Sequence, residues 1–293
     1  MKFLPLLLLL SCHSYQVKEP ISYETEALKT KYELYLNLQI PFLDNSGFLP
    51  SFGCDQLLFV SLDCHKKTVI SDAEGEPGQW FRNPDKTCFD RGASQSDISR
   101  DMLLGLAHYA LCKGDNAIIE RTLSYGSSHE WIMGRGLVSR TFFTDNMKKT
   151  YALISKYLGG IEHKDLLGLK DFWSFGQTGY EAHLVILQAL ARSKVGNIDQ
   201  SLRERIEEQY SRQPDNALFS FAHHKFTDGN YAQPIEQLMD ETHFPSDSLP
   251  TSLNQCTDYL WSQENWVPCD ENKTHPGVDF VFVARLILEE ING

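Results

Sequence analysis

Two stretches of this chain are helical in pattern yet apolar on nearly every face. Residues 98–111 read ISRDMLLGLAHYAL and residues 180–191 read YEAHLVILQALA. A helix that is hydrophobic all round has to be buried all round, so each must be enclosed by other parts of the chain. The sequence supplies those parts. Lys113-Gly114-Asp115-Asn116 breaks the first stretch, and residues 117–125 follow with Ile118, Ile119 and Leu123 on one face. Gly196-Asn197 breaks the second, and residues 198–210 follow with Ile198, Leu202, Ile206 and Tyr210 at i, i+4 spacing and charges between them. Residues 216–226, then Gly229-Asn230, repeat the theme more weakly. Glycine suits the left-handed residue that ends a helix, and Asp or Asn can cap the next one. The unit is a buried helix, a glycine turn and an amphipathic helix, which packs as an αα-hairpin.

The rest of the chain is compatible with this unit. Residues 21–38 have good helix formers and end at Pro41. Leu57, Leu58, Phe59, Val60 and Leu62 make a run too short to tell helix from strand. Residues 66–97 form a long irregular stretch rich in Gly, Pro, Asp and Asn. Loops of that length are usually functional or disordered, and Trp80, Phe81, Arg82 and Cys88 favour order. The glycine turns at 114, 196 and 229 are unevenly spaced, unlike a solenoid of uniform repeats. The expected fold is therefore all-α: an irregular α/α toroid with long ordered loops, one domain over residues 21–293. This hairpin layout resembles that of α/α-toroid glycoside hydrolases and polysaccharide lyases. The resemblance is one of pattern only, and no stretch matches a catalytic motif of one such family. It implies a glycan substrate, cleaved by hydrolysis or elimination. The alternative is a non-catalytic glycan or protein binder of the same fold.

The N-terminus reads MKFLPLLLLLSC. Lys2 gives a positive start, and the apolar core from Phe3 to Leu10 is too short to span a bilayer, so residues 1–11 read as a secretion signal. Leu9-Leu10-Ser11-Cys12 resembles the lipobox of bacterial lipoproteins. That resemblance implies a lipid on Cys12 as the first mature residue and a tether over residues 12–20. With His13 and Ser14 following and no acidic neighbour, it implies the outer membrane. A net charge of −12 argues against nucleic acid and against anionic lipid surfaces. Six further cysteines remain: Cys54, Cys64, Cys88, Cys112, Cys256 and Cys269. An even number in an exported protein points to disulfides. Cys256 and Cys269 enclose a short segment and are expected to pair. Cys54 and Cys64 pair only if no continuous helix joins them, and Cys88 and Cys112 are their alternative partners. There is no CxxC, and His223-His224 point in different directions on a helix, so no metal is expected. No cofactor is implied, since GxSxG, HExxH, Walker and dinucleotide fingerprints are missing from the sequence.

Candidate chemistry sits where loops enter the apolar helices. The first loop offers Asp90, Arg91, Asp97, Arg100 and Asp101. A carboxylate in the first helical turn is stabilised in its ionised form, so Asp101 suits a base or a ligand-binding role. Arg91 and Arg100 can pair with an acidic ligand, as Trp80 and Arg82 can line the same approach. The second loop offers Trp173, Gln177, Tyr180 and Glu181, an aromatic face with amide and carboxylate partners of the kind sugars need. His183 lies two residues past Glu181, roughly 200° around the helix, so only one of them faces a given cavity. A glycosidase uses two carboxyl groups across the scissile bond. Asp101 and Glu181 are that expected pair, with Glu181 as the acid because an apolar helix raises a carboxyl pKa, and His183 as a third catalytic candidate. A third cluster, Trp131, Arg135 and Arg140, places basic residues between glycines, suited to an acidic ligand. Asp279 opens the last helix as a first-turn carboxylate.

Overall fold

The computed structural model describes residues 23–49, 55–64, 67–86, 98–135, 140–173, 180–251 and 274–292. Within them the chain is mostly helical. The helices are α1 (Tyr23–Gln39), α2 (Gln56–Asp63), α3 (Arg100–Lys113), α4 (Asn116–Ser128), α5 (Asp145–Tyr157), the single turn α6 (Lys164–Leu167), α7 (Tyr180–Lys194), α8 (Gln200–Arg212), α9 (Ala217–Phe226), α10 (Ala232–Met239) and α11 (Val278–Asn292). One feature departs from the all-helical expectation. Strands β1 (Ile132–Arg135) and β2 (Arg140–Phe142) form a small antiparallel hairpin between α4 and α5, with a register irregularity between Ile132 and Gly134. No helix among the described residues is long and apolar enough to cross a membrane.

The apolar stretches become the enclosed helices. On α3, Met102, Leu103, Leu104 and Leu106 are fully buried, as are Ile186 and Leu187 on α7. Each such side chain contributes about 1.5–3 kcal/mol of burial. The run at 57–62 also resolves as helix, and α2 is buried from Leu57 to Asp63. Gly105 lets α2 approach α3, because a Cβ there would lie 3.1 Å from Ser61 Cβ and 3.2 Å from Leu58 Cδ1. The half-wet helices show the predicted one-sided burial: Ile118, Ile119 and Leu123 on α4, and Leu202 and Ile206 on α8. Gly114 and Gly196 take φ of +65° and +69°, the left-handed conformation that a side chain would strain. Asp115 and Asp199 then cap α4 and α8 through Ala117 N and Leu202 N.

Among these helices the packing runs α2 on α3, α3 on α7, α7 on α9, α9 on α11 and α11 back on α2. Helices α4 and α5 pack on α3, α8 lies against α7 and α9, and α10 and α1 cover α9 and α11. The five enclosed helices share one direction. Arg100 pairs with Glu181, and His183 Nε2 lies 3.8 Å from Asp101 Oδ2, so α3 and α7 start together. Lys113 Nζ donates to Cys64 O at 3.1 Å, and Cys64 is disulfide-bonded to Cys112, so α2 and α3 end together. Lys194 to Glu289 at 2.8 Å and Lys225 to Glu290 at 2.5 Å join the ends of α7 and α9 to that of α11. The N-terminal ends of these helices therefore lie toward one end of the molecule. Cys54, Cys88, Cys256 and Cys269 lie outside the described residues.

Candidate functional site

At that end, α3 and α7 bring four of the expected residues together, Arg100, Asp101, Glu181 and His183, but not with the two carboxylates as an open pair. Asp101 is 3 % exposed and His183 2 %. Ser99 Oγ donates to Asp101 Oδ1, and Met102 N donates to the same oxygen at 2.9 Å. Burial pushes the Asp101 carboxyl up, but His183, the Ser99 hydroxyl and the charge of Arg82 outweigh it and hold the group below its ordinary value. Arg82 is itself buried and pairs with Asp55 at 3.2 Å. The serine donates to the carboxylate rather than to the imidazole. The order of a nucleophilic Ser–His–Asp relay, where the base touches the serine, is not formed.

Glu181 turns the other way. Both its oxygens are engaged by Arg100, with Nη1 to Oε2 at 3.2 Å and a second, shorter contact from Nη2 to Oε1. This pair is partly exposed and lines a cleft of about 310 Å³ against the start of α5 and residues 170–173. The expected Asp101–Glu181 pair is thus not a facing pair. The first turn of α7 sends His183 inward to Asp101 and Glu181 outward to the cleft, as roughly 200° of rotation between them requires.

The cleft is built on a pinned segment. Asn146 Nδ2 donates to Phe172 O at 2.7 Å, and Phe172 N donates to Asn146 Oδ1 at 3.0 Å. Asp171 accepts from Arg192 Nη2 at 2.7 Å and from Lys149 Nζ at 2.8 Å. Burial pushes the Asp171 carboxyl up, and Arg192 and Lys149 together outweigh it, leaving it below its ordinary value. Arg192 is fully buried, donates also to Thr150 Oγ1 at 2.9 Å, and sits 5.3 Å over the Trp173 ring. This backing fixes Phe172 with 80 % of its surface exposed. Among the described residues, two buried polar atoms of the lining side chains have no hydrogen-bond partner: Trp173 Nε1, a donor, and Gln188 Oε1, an acceptor. Their residues are 7 % and 6 % exposed. An unmet buried donor or acceptor costs about 1–3 kcal/mol, and neither atom is open to the cleft.

Other expected residues fall elsewhere. Trp173, expected as a stacking face, has its ring covered by the Arg192 guanidinium and its N–H buried. Trp80 is buried at 1 % and donates from Nε1 to Thr122 Oγ1 at 2.9 Å, a packing residue rather than a ligand contact. Trp131 lines a separate cavity of about 920 Å³ with Glu120 and His163, and Lys148 Nζ lies 4.8 Å over its ring. Arg135 and Arg140 face each other across the β1–β2 hairpin and are exposed. This third cluster is not joined to the cleft. Tyr180 opens α7, while Asp90, Arg91, Asp97 and Gln177 lie outside the described residues. Asp279 is a buried first-turn residue of α11. Sequence reasoning missed Phe172, Gln188, Lys170 and Asn146. The one readable signal was Gln188, a lone amide in an otherwise apolar run. Among the described residues no group of three or more His, Cys, Asp or Glu is placed to hold a metal ion.

Compared with family models, curated proteins and solved structures, the chain has no match in any of the three.

Proposed function

We propose that this protein is an exported, lipid-anchored glycan binder that holds its ligand in the cleft between α5 and α7 without cleaving it. The observation that carries the reading is the exposed Phe172 ring at a cleft whose lining also holds Asn146, Lys170 and the Arg100–Glu181 pair. Sugars present apolar C–H faces and hydroxyls that both donate and accept, and this lining offers a match for each. Cleavage, by a hydrolase or a lyase, is the second reading. Hydrolysis needs carboxyl groups positioned across one bond, and elimination needs a free base, whereas Asp101 is committed to Ser99 and His183 and Glu181 to Arg100.

The cyclic packing of parallel α2, α3, α7, α9 and α11 supports an α/α-toroid arrangement. The Cys64–Cys112 disulfide is in keeping with export, since such bonds persist in oxidising compartments. On this reading Cys12 carries the lipid and holds the protein at the bacterial outer membrane. Titration calorimetry with a panel of oligosaccharides, run beside an assay for new reducing or unsaturated ends, tests the function. Saturable binding without product is expected. Product release that disappears in Glu181→Gln or Asp101→Asn would overturn the non-cleaving reading.

A further inference from the structure

The Cys64–Cys112 bond is open on one side only. Cys64 follows α2 and is 7 % exposed. Cys112 lies in the last turn of α3 and is exposed, as are Lys113 and Gly114 after it. The helices that carry the two residues explain the difference. α2 is buried from Leu57 to Asp63, and the left-handed residue that ends it, Cys64 at φ +57°, is buried with it. α3 is enclosed as far as Ala110, and its last turn lies at the surface. Thiol–disulfide exchange is a displacement at sulfur. The attacking thiolate comes in along the line of the S–S bond, from the side away from the leaving sulfur, so access decides which sulfur is attacked.

We infer that Cys112 is a thiol-exchange site, where an external thiolate opens the bond and Cys64 is the sulfur that leaves. The thiolate sulfur bonds to Cys112 Sγ, the Cys64–Cys112 S–S bond breaks, and its electron pair goes to Cys64 Sγ, which takes a proton from water. The incoming thiol is oxidised to one half of a mixed disulfide, and Cys64 is reduced to a thiol. A second thiolate then attacks the foreign sulfur of that mixed disulfide and releases Cys112, so two thiols leave as their disulfide. The chemistry is the same whether the thiolate belongs to a small thiol or to a cysteine of a dithiol protein. Exchange unlinks the ends of α2 and α3, whose middles meet at Gly105. The inference is independent of the glycan reading, since the bond and the cleft lie at opposite ends of α3.

The test uses the whole mature protein, unsubstituted and under native conditions. It is mixed with glutathione, or with a thioredoxin whose second active-site cysteine is replaced by serine. Samples are quenched in acid at early times, alkylated and mapped by peptide mass spectrometry. The expected first product carries the foreign thiol on Cys112 and the alkyl group on Cys64, in about tenfold excess or more over the reverse arrangement. Whichever of the two thiols gives that product faster identifies the kind of donor. Because the attack is on the folded protein, its rate should be nearly the same in ~1 M urea, where a route through unfolding would speed up about tenfold or more. Adducts spread equally over the two cysteines, or chiefly on Cys64, would overturn the inference. So would a rate that climbs with urea, or a bond that resists both thiols until the protein is denatured.

Discussion

Replacing Asp63 by asparagine is expected to raise stability at neutral pH and to change little near pH 4. Asp63 ends α2 and is 2 % exposed, and among the described residues neither carboxyl oxygen has a hydrogen-bond partner. The nearest cations spend their contacts on the flanking backbone, Arg285 on Leu62 O and Lys113 on Cys64 O, both at 3.1 Å. Burial pushes the carboxyl up from 3.8 to about 7, and Arg285 and Lys113 only partly offset it. The native state therefore keeps a proton that the unfolded chain has released. Between about pH 4 and pH 7 this lowers stability by roughly 1.4 kcal/mol per unit as pH rises, on the order of 4 kcal/mol in all. Asparagine mimics the protonated form and removes that slope. Asp101 acts in the opposite sense and in a separate window. Its pKa is depressed, so its contribution is present at neutral pH and is lost only as pH falls below about 4. Urea unfolding of both proteins at intervals from pH 4 to pH 7.5 measures the difference. Parallel pH profiles, or an asparagine variant that is less stable at pH 7, would refute the reasoning. Either result would mean that Arg285 and Lys113 stabilise the charged form more than burial penalises it.

Reducing the Cys64–Cys112 bond, which spans 48 residues, should cost about 4 kcal/mol by the chain-entropy relation, read as the shift in denaturant midpoint with and without reductant. Gly78→Ala should destabilise by more than about 2 kcal/mol, since φ is +85° and a Cβ would lie 2.1 Å from Arg121 O; thermal unfolding measures it. Trp80→Phe should cost about 1–2 kcal/mol through the Thr122 hydroxyl it leaves behind, measured in the same way.

The fold was legible where burial has a period. Residues 98–111 and 180–191 are apolar on all faces because α3 and α7 are enclosed on all sides, and the glycines at 114 and 196 mark the left-handed ends. The run at 57–62 was ambiguous for the same physical reason: α2 is short and wholly buried, so it shows no alternation to read. The β1–β2 hairpin was missed because strands of four and three residues carry almost no pattern. The site was less legible. Arg100 and Glu181 are 81 residues apart, and their pairing depends on α3 and α7 packing in parallel. Nothing in a loop sequence tells which of two adjacent aromatics turns inward. Arg192, in the last turn of α7, decides it by covering Trp173 and leaving Phe172 outside.

The most direct measurement is the oligosaccharide affinity of Phe172→Ala beside the wild type, with unfolding midpoints recorded for both. Phe172 is 80 % exposed, so stability should shift by less than about 0.5 kcal/mol. Affinity should drop about tenfold through loss of the aromatic face. Undiminished affinity in the alanine variant would contradict the assignment of the α5–α7 cleft as the place where the ligand sits.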